Sequence, residues 1–127
     1  MTDYLLDTNI LILHLRNRPD ITEMLNQWQM MRNLFISTVV RTELLAGMHR
    51  NEEGKTLTLL DSMISLPVDL YIADLAGRLI YQYARQGVAL GLPDTLIAAT
   101  ALVHDLTLVT TNTRHFPFQD LKIHVVE

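Results

Sequence analysis

The 127-residue sequence has no cysteine, and its five histidines, at positions 14, 49, 104, 115 and 124, keep no ligand spacing. A structural zinc site is therefore not expected. The five glycines lie scattered at 47, 54, 77, 87 and 91, which excludes a glycine-rich phosphate loop. No serine sits in a nucleophile-elbow pattern. Linkers rich in Pro, Gly or Ser, internal repeats and low-complexity tracts are all missing, so the chain reads as one domain over residues 1–127. The longest stretch without Asp, Glu, Lys or Arg runs from Thr95 to His104, far short of the roughly 20 apolar residues that span a bilayer. No membrane association is expected. Met1-Thr2-Asp3-Tyr4 lacks the basic segment and cleavage site of a signal peptide, which makes the cytoplasm the expected compartment.

Basic charge is also in short supply. Ten basic residues against fourteen acidic ones give a net charge of −4, the wrong sign for gripping nucleic acid by bulk electrostatics. Eight of those ten are arginine, the side chain that forks onto phosphate, although arginine equally serves surfaces and salt bridges.

What the chain does have is apolar residues, 49% of the total, with a mean hydropathy of +0.18. A domain of this length buries roughly two thirds of its unfolded surface and folds without disulfide or metal. Tyr4-Leu5-Leu6 has strand length and stops at Asp7; Thr8-Asn9 can then cap a helix with Ile10, Leu13 and His14 on one face, ended by Arg16 to Pro19. A helix over about 20–31 places Met24, Leu25, Trp28 and Met31 at helical spacing, and Leu34-Phe35-Ile36 reads as a buried strand. Ser37 or Thr38 caps a helix ending near Gly47. Helical patterns follow at about 52–64 and 72–86, with an extended piece around Leu66 to Val68 between them. Pro93 opens a last helix through about Val103, and 106–110 and 122–126 close the chain as strands. Apolar strands interleaved with helices predict a three-layer α/β/α domain with a mainly parallel sheet. Ligands of such sheets bind beyond the carboxyl ends of the strands, which directs attention to Asp7, Ser37 and the residues after Val109.

Three acids stand out at element ends. Asp7 joins a strand to a helix with almost no loop; a helix N-cap accounts for it equally well. Glu43 lies on a face otherwise occupied by Val39, Val40 and Gly47, where a salt bridge to Arg50 or another basic residue is the plain alternative. Asp94 heads the stripe formed by Ile97, Ala98 and Ala101, and a first-turn dipole role would also explain it. Together, at one sheet edge, the three make a candidate divalent-metal cluster, since grouped carboxylates repel unless a cation lies among them. Mg²⁺ or Mn²⁺, hard and oxygen-liganded, suits such a set. The surplus apolar residues Leu11, Leu15, Trp28 and Met30 on the first two helices suggest a groove for a partner.

Four segments carry a family resemblance: Leu5-Leu6-Asp7-Thr8-Asn9-Ile10, the run from Ile36 to Gly47 around Glu43, Leu92-Pro93-Asp94-Thr95 with its following helix, and Leu108-Val109-Thr110-Thr111-Asn112-Thr113-Arg114-His115-Phe116. Together they resemble the motifs of PIN-domain ribonucleases, and in length and wording the VapC toxins of toxin-antitoxin pairs. The resemblance covers almost the whole chain. It implies Asp7, Glu43 and Asp94 as the acidic metal-site residues, with Asn9 and Thr110 as supporting polar residues. Asn112, with His115 three positions on, stands where the family's fourth motif often supplies another acid. The resemblance further implies an RNA substrate, Mg²⁺ or Mn²⁺ as cofactor, a cognate antitoxin whose tail covers the site, and a homodimer.

The expected chemistry is metal-dependent endoribonucleolytic hydrolysis, with Asp7 and Asp94 holding the ion, Glu43 binding a second ion or orienting the attacking water, and Asn112 acting from behind. Two other readings compete. An aspartyl-phosphate enzyme fails because Asp7 is followed by Thr8-Asn9 rather than by a second Asp two residues on. A non-catalytic PIN-like module binding RNA or protein, its acids serving structure, is kept open by Asn112.

Overall fold

A computed structural model describes residues 3–127; Met1 and Thr2, half of the stretch on which the expected compartment rests, lie outside it. Five strands, β1 (Tyr4–Leu6), β2 (Leu34–Ser37), β3 (Ile64–Leu66), β4 (Thr107–Thr110) and β5 (Ile123–Val125), form one sheet in the order β3-β2-β1-β4-β5. Every pairing is parallel, with Leu5 opposite both Phe35 and Leu108, and Val109 opposite His124. Among the described residues, six helices flank the sheet: α1 (Thr8–Leu15), α2 (Pro19–Met31), α3 (Thr38–Gly47), α4 (Glu53–Asp61), α5 (Leu70–Arg85) and α6 (Leu92–His104). This is the expected three-layer α/β/α architecture. No helix among the described residues is long and apolar enough to cross a membrane.

The first connections are built without loops. Asp7 ends β1 and caps α1, its side chain accepting from the Thr8 N–H; Ser37 ends β2 and caps α3 by accepting from the Val39 N–H. Such caps satisfy amide donors that a helix start leaves free, worth about 1 kcal/mol each. Ser37 is fully buried in that task and is not among the residues that line the cleft around Asp7. Pro19 and Pro93 occupy the first turns of α2 and α6, where a missing N–H costs nothing. After α5, Gly87 at φ +82° accepts the left-handed turn that lets the Val88 N–H reach back to the Tyr83 carbonyl. Because all strands run the same way, Asp7, Ser37 and Thr110 meet at one edge.

Several local expectations change. Asp7, not Thr8-Asn9, caps α1: β1 ends at Leu6 and the helix begins at Thr8, leaving Asp7 as the single residue between them. The inner face of α1 is Ile10 and Leu11, both fully buried, whereas Leu13 and His14 are half-buried. That removes Leu11 from the surplus apolar set. On α2 the core residues are Ile21 and Leu25, and Met31 stands 67% exposed. Trp28 is half-buried against the Tyr4 ring, 4.2 Å away between centroids. Met30, at 87% exposure, keeps its place outside. The extended piece is displaced a little toward the N-terminus, as the edge strand β3.

Candidate active site and metal centre

Asp7 is the most enclosed of the three acids, at 5% exposure. Its Oδ1 accepts the Thr8 N–H at 2.8 Å and its Oδ2 accepts the Thr110 hydroxyl at 2.7 Å across 103 residues of sequence. Neither donor is charged. Burial therefore dominates and raises its pKa above the ordinary carboxylate value, opposed by these two hydrogen bonds and reinforced by the nearby charges of Asp94 and Glu43. Asp94, in the first turn of α6, sits above the stripe of Ile97, Ala98 and Ala101, all buried as anticipated. Its pKa is likewise raised, chiefly by burial, with His115 pulling it down and Glu43 pushing it up. Glu43 projects from α3, and its Oε1 accepts the Thr8 hydroxyl at 2.7 Å. Among the described residues it forms no salt bridge, so the alternative pairing with Arg50 falls: the α1–α3 packing turns Glu43 toward the first strand end instead.

Asp7, Glu43 and Asp94 line one cleft of about 370 Å³, joined by Thr8, Asn9, Ile12, Pro93 and His115. Asn9 is thus on the cleft wall. Thr110 stands behind it, bracing Asp7. Asn112 does not line it: its backbone N–H donates to the Thr110 hydroxyl oxygen at 3.0 Å, and its amide nitrogen lies 3.2 Å from His115 Nε2. The residue that the fourth motif sends into the cleft is His115, whose Nδ1 lies 3.2 Å from Asp94 Oδ2. The sequence carries no signal for this, since a histidine of unremarkable spacing becomes a site residue only through the short 3-10 turn Thr113–His115. Thr8 was equally hidden. Its role depends on α1 and α3 meeting across 35 residues.

The donor set fits a hard divalent cation. It consists of carboxylate and neutral oxygens, and the most buried acid is satisfied only by neutral donors, which leaves its negative charge without a cationic partner among the described residues. Among the described residues no three acidic or imidazole groups are drawn into a ready-made metal-holding cluster. Asp7, Asp94 and Glu43 are the residues that would hold such an ion.

The brace on Asp7 makes a direct prediction. Thr110→Val keeps the shape but removes the donor to Oδ2, and is expected to destabilise the protein by about 1–3 kcal/mol at neutral pH, the usual cost of an orphaned buried acceptor. Below the ordinary carboxylate pKa, where Asp7 carries its own proton, the loss should shrink. Denaturant curves at the two pH values check this; an equal loss at both would detach the effect from Asp7.

The fold and the carboxylate cleft define a parallel α/β protein with an acidic site at its strand ends. The chain belongs to the PIN-domain family, whose model matches residues 4–122. It is 40% identical over 119 residues to Ribonuclease VapC10 of Mycobacterium tuberculosis, covering 93% of this chain and 90% of that protein. Ribonuclease VapC19 of the same organism is 37% identical, with 93% and 96% covered. Among solved structures, a toxin-antitoxin complex from Klebsiella pneumoniae superposes with a TM-score of 0.81 at 29% identity, covering 96% of each chain.

Proposed function

We propose that this protein is a metal-dependent endoribonuclease, the toxin of a toxin-antitoxin pair, and that Asp7, Glu43 and Asp94 are its catalytic residues. The observation that carries this reading is the convergence of these acids from β1, α3 and α6 on one cleft at the carboxyl edge of the sheet. Residues 1–127 are read as a single PIN-like domain acting in the cytoplasm.

Asp7 and Asp94 hold Mg²⁺ or Mn²⁺, with Glu43 alongside; the ion, when bound, polarises the phosphoryl oxygens, makes water a better nucleophile and offsets charge on the leaving oxygen. Glu43 spends Oε1 on Thr8, and no hydrogen bond engages its Oε2 among the described residues. That oxygen is available to take a proton from the attacking water. Thr8 and Thr110 keep the carboxylates in place so that little reorganisation accompanies the reaction. Water attacks phosphorus in line, the bond to the 3′ oxygen breaks, and that oxygen takes a proton from solvent. The products are a 5′ phosphate and a 3′ hydroxyl.

A groove on the helical face offers a seat for the antitoxin. This groove, of about 590 Å³ between α1, α2 and α4, is lined by Leu15, Leu25, Leu59 and Met63 among polar residues. Leu15 also borders a smaller hollow shared with Ile12 and Glu43, two residues that line the catalytic cleft as well. A homodimer is supported by the exposed Leu70, Tyr71 and Tyr81 of α5, more apolar surface than a solvent face needs.

The test is incubation of purified, antitoxin-free protein with total cellular RNA and Mg²⁺, followed by mapping of new 5′ ends. Discrete new ends bearing 5′ phosphate are expected. Cyclic phosphate termini would exclude attack by water, and intact RNA would favour the non-catalytic module, in which Asp7 serves only as the cap of α1.

A further inference from the structure

Asn112 touches both sides of the cleft without entering it. Through its backbone, the N–H donates to the Thr110 hydroxyl, whose own proton goes to Asp7 Oδ2. Through its side chain, the amide nitrogen lies 3.2 Å from His115 Nε2, and the opposite ring nitrogen, Nδ1, lies 3.2 Å from Asp94 Oδ2. In the neutral ring, these partners set the tautomer. An amide nitrogen only donates, so Nε2 accepts; a carboxylate oxygen only accepts, so Nδ1 carries the hydrogen.

We propose that Asn112 and His115 are positioning residues for Asp94: Asn112 holds the His115 ring at Nε2, so that its Nδ1–H stays turned onto Asp94 Oδ2. Oδ1 of Asp94 then has no hydrogen-bond partner among the described residues and remains available within the cleft. This rests on the reading of Asp94 as a catalytic carboxylate. In place of a fourth acid, the chain uses an amide and an imidazole to aim an acid it already has. One residue thereby braces two carboxylates, Asp7 by its main chain and Asp94 by its side chain. The arrangement follows the general rule that groups behind a ligand orient it and change metal affinity when removed.

The first measurement needs neither metal nor RNA. Nitrogen-15 NMR of the metal-free protein at about pH 8.5, well above the ordinary imidazole pKa, should show His115 with its hydrogen on Nδ1. In Asn112→Ala the Asp94 carboxylate should still keep the hydrogen on Nδ1, while the Nε2 resonance should shift because its donor is lost and the ring is no longer held. Mn²⁺ titration by calorimetry should then show affinity falling about tenfold in Asn112→Ala and in His115→Gln. His115→Asn sets an amide where Nδ1 stood, and should retain affinity to within about twofold. Adding Asn112→Ala to His115→Asn should change nothing further, because the link is already cut. Hydrogen on Nε2 in the wild type overturns the proposal, and so does the expected tautomer with unchanged Mn²⁺ affinity in Asn112→Ala. Wild-type protein that binds no Mn²⁺ would defeat the nuclease reading and, with it, the positioning role, whatever the tautomer.

Discussion

Asp94→Asn is expected to lower RNA cleavage by about 100-fold or more while leaving the metal-free fold as stable as the wild type, or more stable. The activity side follows from the proposed role of Asp94 as a metal ligand, whose lost charge should cost at least what removing an outer partner of a metal site costs. The stability side follows from electrostatics. Burial and Glu43 both hold the pKa of Asp94 above its ordinary value, so its ionised form is disfavoured in the fold at neutral pH. Asparagine is isosteric and uncharged, and relieves that repulsion at the loss of the contact with His115. If Asp94 only stabilised the first turn of α6, the same change would lower stability by up to about 1 kcal/mol and spare activity. Denaturant curves in EDTA beside a cleavage assay separate the two cases. A destabilised and fully active variant would overturn the assignment of Asp94.

Much of the fold was legible because local signals agreed with tertiary ones. Leu5 and Leu6, continuous apolar residues stopping at Asp7, read as a buried strand feeding a helix, and β1 ends where expected, although Asp7 rather than Thr8-Asn9 is the cap. Asp94 was placed correctly because the offsets to Ile97, Ala98 and Ala101 fix its face. The misreadings share one cause. Helical periodicity gives a stripe but not which neighbouring stripe meets the sheet, so Leu11 went to the outside and Met31 to the core, and both were reversed. Site details failed where they depend on contacts distant in sequence. The Thr8 hydroxyl on Glu43 and the imidazole of His115 beside Asp94 arise only when α1 meets α3, and when the turn after β4 folds over the start of α6. Asn112 was recognised as a departure, yet its direction could not be read. An amide behind a histidine and an amide beside an ion look the same in one dimension.

Removing divalent ions with EDTA should abolish cleavage, and Mn²⁺ should restore it while raising stability in a manner that depends on pH. Asp7 and Asp94 both have raised pKa values in the fold. Between the ordinary value of 3.8 and the raised one, the folded state therefore binds more protons than the unfolded state. For an acid shifted upward, the contribution to stability is most favourable below the unfolded pKa and declines as pH rises through the folded pKa. Metal-free wild type should accordingly lose stability relative to Asp7→Asn as pH rises from about 4 toward neutrality. Cation binding has the opposite slope, because it requires the ionised carboxylates and displaces their protons. At about 100 times its dissociation constant, Mn²⁺ should add roughly 2.7 kcal/mol to the wild type at neutral pH and much less below pH 4. Asp7→Asn, lacking one ligand charge, should gain far less at either pH. Thermal melts across pH in EDTA and in Mn²⁺, with RNA cleavage followed in parallel, provide the measurement. Undiminished cleavage in excess EDTA would end the metal mechanism, and a wild type whose stabilisation by Mn²⁺ matches that of Asp7→Asn would place the ion away from this cleft.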